Sequence, residues 1–453
     1  MKIIWIDDEI MSDKELIGTL DEMKGIFKDK NISIEGVERV GDAHVEISGR
    51  ACDFAIVDLN FIEEKHSSDN LLNILHERGI YYAIYSSLIN GGTRTNYGSN
   101  SFCVGVYKKY DDKEKLLKSI KNFISEPPYR ILQISDIHYD LNMSKTNRGR
   151  LLESLIKTIT EINSEQKINI ITILGDMVSK RPAEELPIIR DEFFEEVFMK
   201  LNIHRDCIFI VPGNHEVQWN DYENHKLSEK PYAAYTEFYN SIYDKNTYPI
   251  NACKGSKEGR LLLSSEADDL SWHRKLKEFK VSMIGVCSNS DNPKERGEGR
   301  IKTDVVDYVR KKWSSDSNGE IRIFLLHHNL FQIESFFKGD ERRTVHNTGE
   351  VLKALVESGC DIILSGHSHR PEVIMHQSSS FEDGGFRKNK SLLLICSGTS
   401  GGNAPSGDIN KHFNIIDISK SAERGNKCVK VTPYAYNSGS NTWSKKTYDD
   451  YDI

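Results

Sequence analysis

The sequence has no long apolar run, no Cys-x-x-Cys pair and no excess of basic residues. None of its 453 residues lies in a stretch that approaches the ~18 consecutive apolar residues of a transmembrane helix. Apolar residues at the start, Met1 to Ile6, meet Asp7 at once, so no secretory signal peptide is indicated. The eight cysteines mostly lie in apolar runs, and we expect reduced core thiols of a cytoplasmic protein rather than disulfides or zinc ligands.

The charge balance argues against broad, nonspecific binding of a polyanion by surface charge. Lys and Arg number 60 against 68 Asp and Glu, which gives a net charge of −8. A surface of this kind does not bind polyanions nonspecifically, although metals can still hold a polyanionic substrate. With 38% hydrophobic and 28% charged residues, the composition is that of a globular protein rather than a disordered or collagenous chain. Length alone favours about three domains.

The hydrophobic pattern divides the chain at a pair of prolines. Before them, short apolar runs alternate with amphipathic stretches, which predicts a doubly wound, five-stranded parallel sheet with helices on both faces. Pro127 and Pro128 interrupt this pattern, and a new strand-like run begins at Tyr129. We therefore expect a domain of residues 1–124, a linker of residues 125–128 and one large domain of residues 129–453. Residues 217–270 have few apolar runs, and we interpret them as an insertion.

Five short motifs of Asp, His, Asn and Gly follow strand-like runs in the large domain. In chain order they are Asp136-Ile137-His138, Gly175-Asp176, Gly213-Asn214-His215-Glu216, His327-His328-Asn329 and Gly366-His367-Ser368-His369. Strand ends are where α/β proteins gather site residues, and residues i and i+2 of an extended segment point the same way. Imidazoles mixed with carboxylates suit Mn, Fe, Zn or Ni better than Ca or Mg. The set exceeds the needs of one ion, which predicts two ions that share a carboxylate.

These motifs, in this order, resemble the DxH, GDxx, GNH[DE], H and GHxH pattern of calcineurin-like metallophosphoesterases over residues 129 to about 435. The resemblance implies a four-layer α/β/β/α domain and a phosphoesterase that uses a metal-bridging hydroxide. It assigns the first ion to Asp136, His138, Asp176 and His369, and the second to Asp176, Asn214, His327 and His367. His327 matches the ligand position better than His328, although either fits. The resemblance gives the catalytic roles to Asp176, which bridges the ions, and to His215, which protonates the leaving group.

A second cluster of polar residues is expected in the first 124 residues. Carboxylates (Asp7, Asp8 and Asp58), hydroxyls (Ser86 and Ser87) and Lys108 follow successive predicted strands. Because the carboxyl ends of parallel strands meet at one sheet edge, these side chains should lie together. Clustered carboxylates bind Mg²⁺, and a carboxylate beside that ion can accept a phosphoryl group. A hydroxyl and an ammonium can then hold the new phosphate.

This cluster resembles the site of response-regulator receiver domains over residues 1 to about 124. The resemblance makes Asp58 the phosphoacceptor, with a histidine kinase as partner. It makes Asp7, Asp8 and the Asn60 carbonyl the Mg²⁺ ligands, Ser86 (or Ser87) the hydroxyl and Lys108 the phosphate-sensing lysine. The pattern departs from receivers at Lys109, where proline is usual, at Gly105, where an aromatic is usual, and at residues 61–64, which lack Pro-Gly. A receiver-like domain that is never phosphorylated is therefore the alternative.

Together the two regions favour a cytoplasmic phosphoesterase with two metal ions that hydrolyses a phosphodiester, either a nucleotide or a nucleic acid. Phosphorylation of Asp58 would regulate it through dimerisation or access to the metals. The alternatives are a nuclease acting on DNA ends, a protein phosphatase and a non-catalytic phospho-switch scaffold. A nuclease predicts a basic track beside the metals, and a scaffold predicts that no transition metal is bound.

Overall fold

The computed structural model describes most of the chain, with gaps. The described residues are 1–28, 32–48, 52–60, 67–77, 80–90, 103–125, 128–142, 145–221, 226–243, 270–277, 279–290, 297–313, 319–331, 344–381, 387–401, 411–420, 427–447 and 449–453. Predicted features that lie outside them are residues 126 and 127 of the linker, residues 61–64 after Asp58, and residues 222–225 and 244–269 of the interpreted insertion.

The first part of the chain forms a five-stranded parallel sheet, as the sequence predicts. Its strands are β1 (Lys2–Ile6), β2 (Ser33–Val37), β3 (Phe54–Val57), β4 (Tyr81–Ser86) and β5 (Cys103–Lys108), in the order β2-β1-β3-β4-β5. The helices are α1 (Lys14–Phe27), α2 (Val40–Ser48), α3 (Ser67–Glu77) and α4 (Lys113–Ser125). This order is that of doubly wound receiver-like and flavodoxin-like folds, whose sites lie at the carboxyl edge. Residues Ile3 to Ile6 are fully buried because helices cover both faces of the sheet.

The remainder of the chain contains two larger sheets. The first has seven strands: β6 (Tyr129–Ile134), β7 (Ile170–Ile173), β8 (Ile208–Ile210), β17 (His412–Lys420), β18 (Lys427–Asn437), β19 (Thr442–Lys445) and β20 (Asp449–Asp452). The second has six: β11 (Trp272–Leu276), β12 (Val281–Gly285), β13 (Ile321–Leu325), β14 (Ile362–Ser365), β15 (Glu372–Phe381) and β16 (Arg387–Cys396). Strands β9 (Trp219–Asp221) and β10 (Lys226–Leu227) form a separate pair.

Helices cover the outer faces of the two sheets and complete four layers. They are α5 (Lys145–Glu165), α6 (Pro182–Ile189), a π-helical turn (Arg190–Phe194), α7 (Glu195–Leu201), α8 (Ala233–Tyr243), α9 (Thr303–Lys312) and α10 (Thr348–Glu357). One core joins the inner faces of both sheets to α5–α8, and a second core lies between the six-stranded sheet and α9 and α10. The predicted α/β/β/α architecture is confirmed. Within the described part of the chain, no helix has the length and hydropathy needed to cross a membrane.

Candidate functional site

The predicted metal ligands meet at the carboxyl ends of strands from both sheets. Asp136 follows β6, Asp176 follows β7 and Asn214 follows β8, whereas His327 follows β13 and His367 follows β14. Asn214 is half-buried, and the other four are buried. The two inner sheets thus contribute to one site at a shared edge, as the sequence predicts.

The backbone at this edge is left-handed rather than extended. Asp136, His138 and Asp176 have φ of 53°, 47° and 50°, and His367 and His369 have φ of 67° and 56°. Among the described residues, these five account for more than half of the nine non-glycine residues with positive φ. Asp136 and His138 do converge, but the assumed strand alternation is not the reason. Left-handed residues cost about 1–3 kcal/mol each and cluster at functional sites, where the surrounding structure enforces them.

The first group of ligand atoms surrounds a small space beside Asp136. The Nε2 atoms of His138 and His369 lie 3.0 Å apart. Asp136 Oδ1 lies 3.7 Å from the former and 3.2 Å from the latter. Asp176 Oδ2 lies 3.8 Å from His138 Nε2. Four donor atoms of these types match the ligands of a divalent transition metal, which binds imidazole nitrogen and carboxylate oxygen at about 2.0–2.2 Å.

The second group of ligand atoms lies on the other side of Asp176. His327 Nε2 is 3.2 Å from Asp176 Oδ2 and 3.1 Å from Asn214 Oδ1. His367 Nδ1 lies 3.1 Å from the same nitrogen of His327. Asp176 Oδ2 thus faces both groups, which is the position of a shared ligand. His327 rather than His328 points at Asp176, so the better of the two sequence matches is the one that the geometry favours.

Hydrogen bonds leave one oxygen of each carboxylate for a metal. Asp136 Oδ2 accepts from the His367 backbone at 3.0 Å and from the Ser135 hydroxyl, whereas Oδ1 is buried and makes no hydrogen bond among the described residues. Asp176 Oδ1 accepts from the His215 backbone at 2.8 Å and leaves Oδ2 for the ligand groups. A buried carboxylate oxygen without a partner is costly unless a cation binds it. The residues therefore fit the two-metal site that the sequence predicts.

Backbone carbonyls orient the imidazoles of the second group. His327 Nδ1 lies 2.7 Å from the Leu174 carbonyl, and His367 Nε2 lies 3.0 Å from the Gly297 carbonyl. A carbonyl only accepts, so each of these nitrogens is the protonated one, and the opposite nitrogen is available as a ligand.

The charges of the cluster shift its pKa values strongly. Burial opposes ionisation of Asp136, but the neighbouring imidazoles of His369, His138 and His327 together outweigh it, and the pKa of Asp136 falls well below its usual range. Burial likewise lowers the pKa of His327, but the Asp176 carboxylate outweighs this effect and raises it to about 9. In the metal-free protein, the Asp136 carboxylate is therefore ionised, and His327 carries a second proton, on Nε2, that a metal must displace.

His215 lies beside the ligand groups, with one ring nitrogen within 4.8 Å of ligand atoms of His138 and Asp176. Its Nδ1 hydrogen-bonds the carbonyl of Ser179, and its Nε2 lies 4.0 Å from Asp176 Oδ2. Because the carbonyl is only an acceptor, Nδ1 carries a proton and Nε2 faces the site. Burial lowers the pKa of His215, while Asp176 and the Ser179 carbonyl partly offset this effect. The ring is thus held where Nε2 can exchange a proton with a bound substrate.

Two buried glutamates support the site, and neither was predicted from the sequence. Glu216 accepts backbone N–H groups from Gly213, Asp176 and Met177 at 2.7, 2.8 and 2.7 Å. Burial and the charge of Asp176 raise its pKa to about 7. Its place in the Gly-Asn-His-Glu motif was a signal for this role. Glu185, on α6, carried no comparable signal in the sequence.

The carboxylate cluster of the first sheet is also present. Asp7 and Asp58 are buried, and they group with Asp8 so that one carboxylate oxygen of each lies within 4.8 Å of the others. Burial and the nearby Asp58 raise the pKa of Asp7 to about 6. Asn60 donates its backbone N–H to Asp58 Oδ1 at 3.1 Å, and Ser86 is buried at the end of β4. The three carboxylates that the sequence predicts at this edge therefore lie close together.

The lysine of the cluster is Lys109, so the predicted Lys108 was the wrong residue. Lys109 Nζ lies 2.6 Å from Asp58 and 3.1 Å from Asp7, and its side chain is 1% exposed. Lys108 is 49% exposed and pairs with Asp111 at 2.7 Å. Strand β5 extends through Lys108, one residue beyond the predicted end, so the next residue is the one that turns into the edge. Hydrophobic pattern alone does not resolve a shift of one residue.

Comparison with known proteins agrees with this site. The calcineurin-like phosphoesterase family model matches residues 129–371, which is just over half of the chain. The chain therefore belongs to the calcineurin-like phosphoesterase family, whose members are metal-dependent hydrolases of phosphoesters. No match was found among curated proteins.

Several solved structures resemble parts of the chain at low identity. A Vps29 variant from Entamoeba histolytica is 10% identical over 72% of this chain and 99% of its own, with a TM-score of 0.28. The receiver domain of a putative Luxo repressor from Vibrio parahaemolyticus is 16% identical over 27% and 88%, with a TM-score of 0.23. A Francisella response-regulator receiver domain is 19% identical over 27% and 95%, with a TM-score of 0.22. Because these scores are low, the receiver-like character of the first sheet rests on its strand order and its carboxylates.

Proposed function

We propose that the protein hydrolyses a phosphodiester, either a nucleotide or a nucleic acid, at the site around Asp176. The observation that supports this proposal most is the position of Asp176 Oδ2 between two groups of ligand atoms. Two divalent transition metals, when bound there, supply an acidified water and neutralise charge on the phosphoryl oxygens. Asp136, His138 and His369 would hold one of them with Asp176, and Asn214, His327 and His367 would hold the other with Asp176.

His215 supplies the proton that the leaving oxygen requires. Its Nε2 faces the ligand groups, and the ring is fixed by its contact with Ser179. When the bond between phosphorus and the leaving oxygen breaks, the imidazolium form of the ring, which carries a proton on Nε2 as well as on Nδ1, passes the Nε2 proton to that oxygen and is left neutral. General acid catalysis of this kind contributes about 10²–10⁴-fold to a rate.

Turnover of bis-p-nitrophenyl phosphate with added Mn²⁺ tests the proposal. Asp176→Asn should lower kcat by at least about 100-fold, because the shared ligand loses its charge. Asp307→Asn is the matched control, since that carboxylate is exposed on α9, where it pairs with Arg310. An Asp176→Asn protein as active as the control would contradict the proposal. A panel of cyclic nucleotides, dinucleotides, DNA ends and phosphopeptides then separates phosphodiesterase, nuclease and phosphatase activities. A wild-type protein that binds no metal would favour the alternative of a non-catalytic scaffold.

We also propose that Asp58 accepts a phosphoryl group from a histidine kinase and that this regulates the esterase. Asp7 and Asp8 beside it offer oxygen ligands for Mg²⁺, and the Lys109 ammonium can pair with the new phosphate. Acetyl phosphate or beryllofluoride with Mg²⁺ should change the esterase rate or the oligomeric state of the wild type but not of Asp58→Asn. An equal response of both proteins would contradict this role.

A further inference from the structure

Four backbone N–H groups converge on the carboxylate of one fully buried residue, Glu185. Its Oε2 accepts from Ser179, Lys180 and Arg181 at 3.2, 3.1 and 3.0 Å. Its Oε1 accepts from Leu141 at 3.4 Å. Glu185 has no exposed surface. Hydrogen bonds to an ionised acceptor are stronger than neutral ones, so this carboxylate determines the path of the segment that it binds.

The simplest reading of Glu185 is a cap of helix α6. It lies in the first turn, where a negative charge is favourable, and Arg181 at the N-cap makes no side-chain capping bond. On this reading, the loss of Glu185 would lower stability and affect every reaction of the site equally.

Residues 179–181, which Glu185 binds, also contact the proton donor His215. The Ser179 carbonyl accepts the Nδ1 hydrogen of His215, and the Ser179 hydroxyl donates to the His138 carbonyl at 2.9 Å. Residues 179–181 therefore connect Glu185 to His215 through a single peptide unit. If that unit rotates, the acceptor that fixes the His215 ring is lost, and Nε2 no longer points steadily at the ligand groups.

We propose that Glu185 is a positioning residue that orients His215 through the carbonyl of Ser179. This inference rests on the proposed function, because it concerns delivery of the proton from Nε2 to the leaving oxygen. An ester whose leaving group is a weak base departs without a proton, whereas a strongly basic leaving group requires one. Misorientation of His215 should therefore slow the hydrolysis of esters with basic leaving groups most. A general loss of fold or metal should instead slow all esters equally.

The test compares aryl methyl phosphodiesters of increasing leaving-group basicity (4-nitrophenyl, 4-chlorophenyl and phenyl) on the full-length metal-loaded protein. In Glu185→Gln, kcat should fall by about tenfold more for the phenyl ester than for the 4-nitrophenyl ester. This ratio is independent of the folded fraction, because both esters are measured on one preparation. Glu185→Asp keeps the charge on a shorter side chain and should give an intermediate ratio. Glu184→Gln, a neighbouring glutamate that is 58% exposed, should leave the ratio unchanged.

A double substitution and a measurement without turnover complete the test. In a His215→Ala background, Glu185→Gln should not alter the ratio further, because the group that it orients is absent. The His215 imidazole N–H signal in the NMR spectrum should broaden or shift in Glu185→Gln and not in Glu184→Gln. An equal fall for all esters, or an effect that persists without His215, would overturn the inference. A wild-type protein that turns over none of the esters would instead overturn the proposed function.

Discussion

Lys109 shows how one residue determines the electrostatics of the first sheet edge. Its ammonium contacts Asp7 and Asp58, both almost fully buried, and also Glu9 at 3.4 Å. Buried carboxylates repel one another and lose hydration, so an internal cation or a bound Mg²⁺ is needed to keep them ionised. Lys108, one residue earlier, pairs with an exposed carboxylate at the surface instead. The two lysines therefore form a matched pair for experiment.

Lys109→Met should destabilise the metal-free protein strongly and Lys108→Met should not. Removing one member of a buried ion pair costs about 3–5 kcal/mol, because the partners remain buried without compensation. An exposed substitution usually changes the free energy of unfolding by less than about 0.5 kcal/mol. Urea unfolding in EDTA measures the difference, and added Mg²⁺ should restore part of the loss in Lys109→Met. Equal stability of the two variants would show that the charge of Lys109 does not stabilise the edge.

His327 makes metal binding depend on pH. Its pKa is raised to about 9, so the imidazole is protonated at pH 7 in the metal-free protein, whereas a metal binds only the neutral form. Binding must therefore release a proton, and the affinity for Mn²⁺ or Zn²⁺ should rise by about tenfold per pH unit per released proton until pH 9 is approached. Calorimetry in buffers of different ionisation enthalpy counts the protons. Binding without proton release at pH 7 would contradict this assignment.

At the scale of elements, the predicted strands locate the metal ligands but not the features that support them. The apolar runs before Asp136 and Asp176 place these ligands at one edge of the seven-stranded sheet, because parallel strands end together, and His327 follows a strand of the six-stranded sheet. The left-handed backbone of the ligands and the carboxylate of Glu185 were not predictable in this way. They depend on hydrogen bonds between distant segments, such as Leu141 to Glu185, which no local pattern encodes.

Gly213, between β8 and the ligand Asn214, illustrates this dependence on distant segments. A Cβ atom built on it would collide with the carboxylate and the backbone nitrogen of Asp176. The turn after β8 therefore approaches the turn after β7 more closely than any side chain allows. A glycine permits such a close approach, but the sequence does not show which ligand it approaches.

Gly213→Ala should displace Asp176 and weaken both metal positions at once. Overpacking of this kind costs about 1–3 kcal/mol, and the shared ligand moves away from both groups. We expect a lower Mn²⁺ stoichiometry and at least about a tenfold loss of turnover. Gly349→Ala is the control, because a Cβ there meets nothing within 4 Å. Its helical position should instead gain about 0.5–1 kcal/mol. Full metal content in Gly213→Ala would show that the close approach is not required.

At the scale of the whole molecule, the described part of the chain has two candidate cation sites of different chemistry. The site around Asp176 offers imidazole nitrogen, carboxylate and amide oxygen, whereas the cluster around Asp58 offers carboxylates and the Lys109 ammonium. Nitrogen-rich sites select transition metals, and oxygen sites select Mg²⁺. On the proposed function, cations bound at these two places would supply the positive charge with which a chain of net charge −8 binds phosphate groups.

Substitutions at the two sites should therefore have separate effects on metal binding. His327→Ala should weaken Mn²⁺ binding by at least about 100-fold, since it removes a direct ligand, and should leave Mg²⁺ binding at the other site intact. Asp58→Asn should weaken Mg²⁺ binding and abolish the response to beryllofluoride, with unchanged Mn²⁺ stoichiometry. Titration of both proteins with each ion, followed by Mn²⁺ electron paramagnetic resonance and calorimetry, measures the two sites independently. If either substitution weakened the binding of both ions equally, the two sites would share a ligand or depend on a common folding unit. The proposed division between an esterase and its phosphorylation switch would then fail.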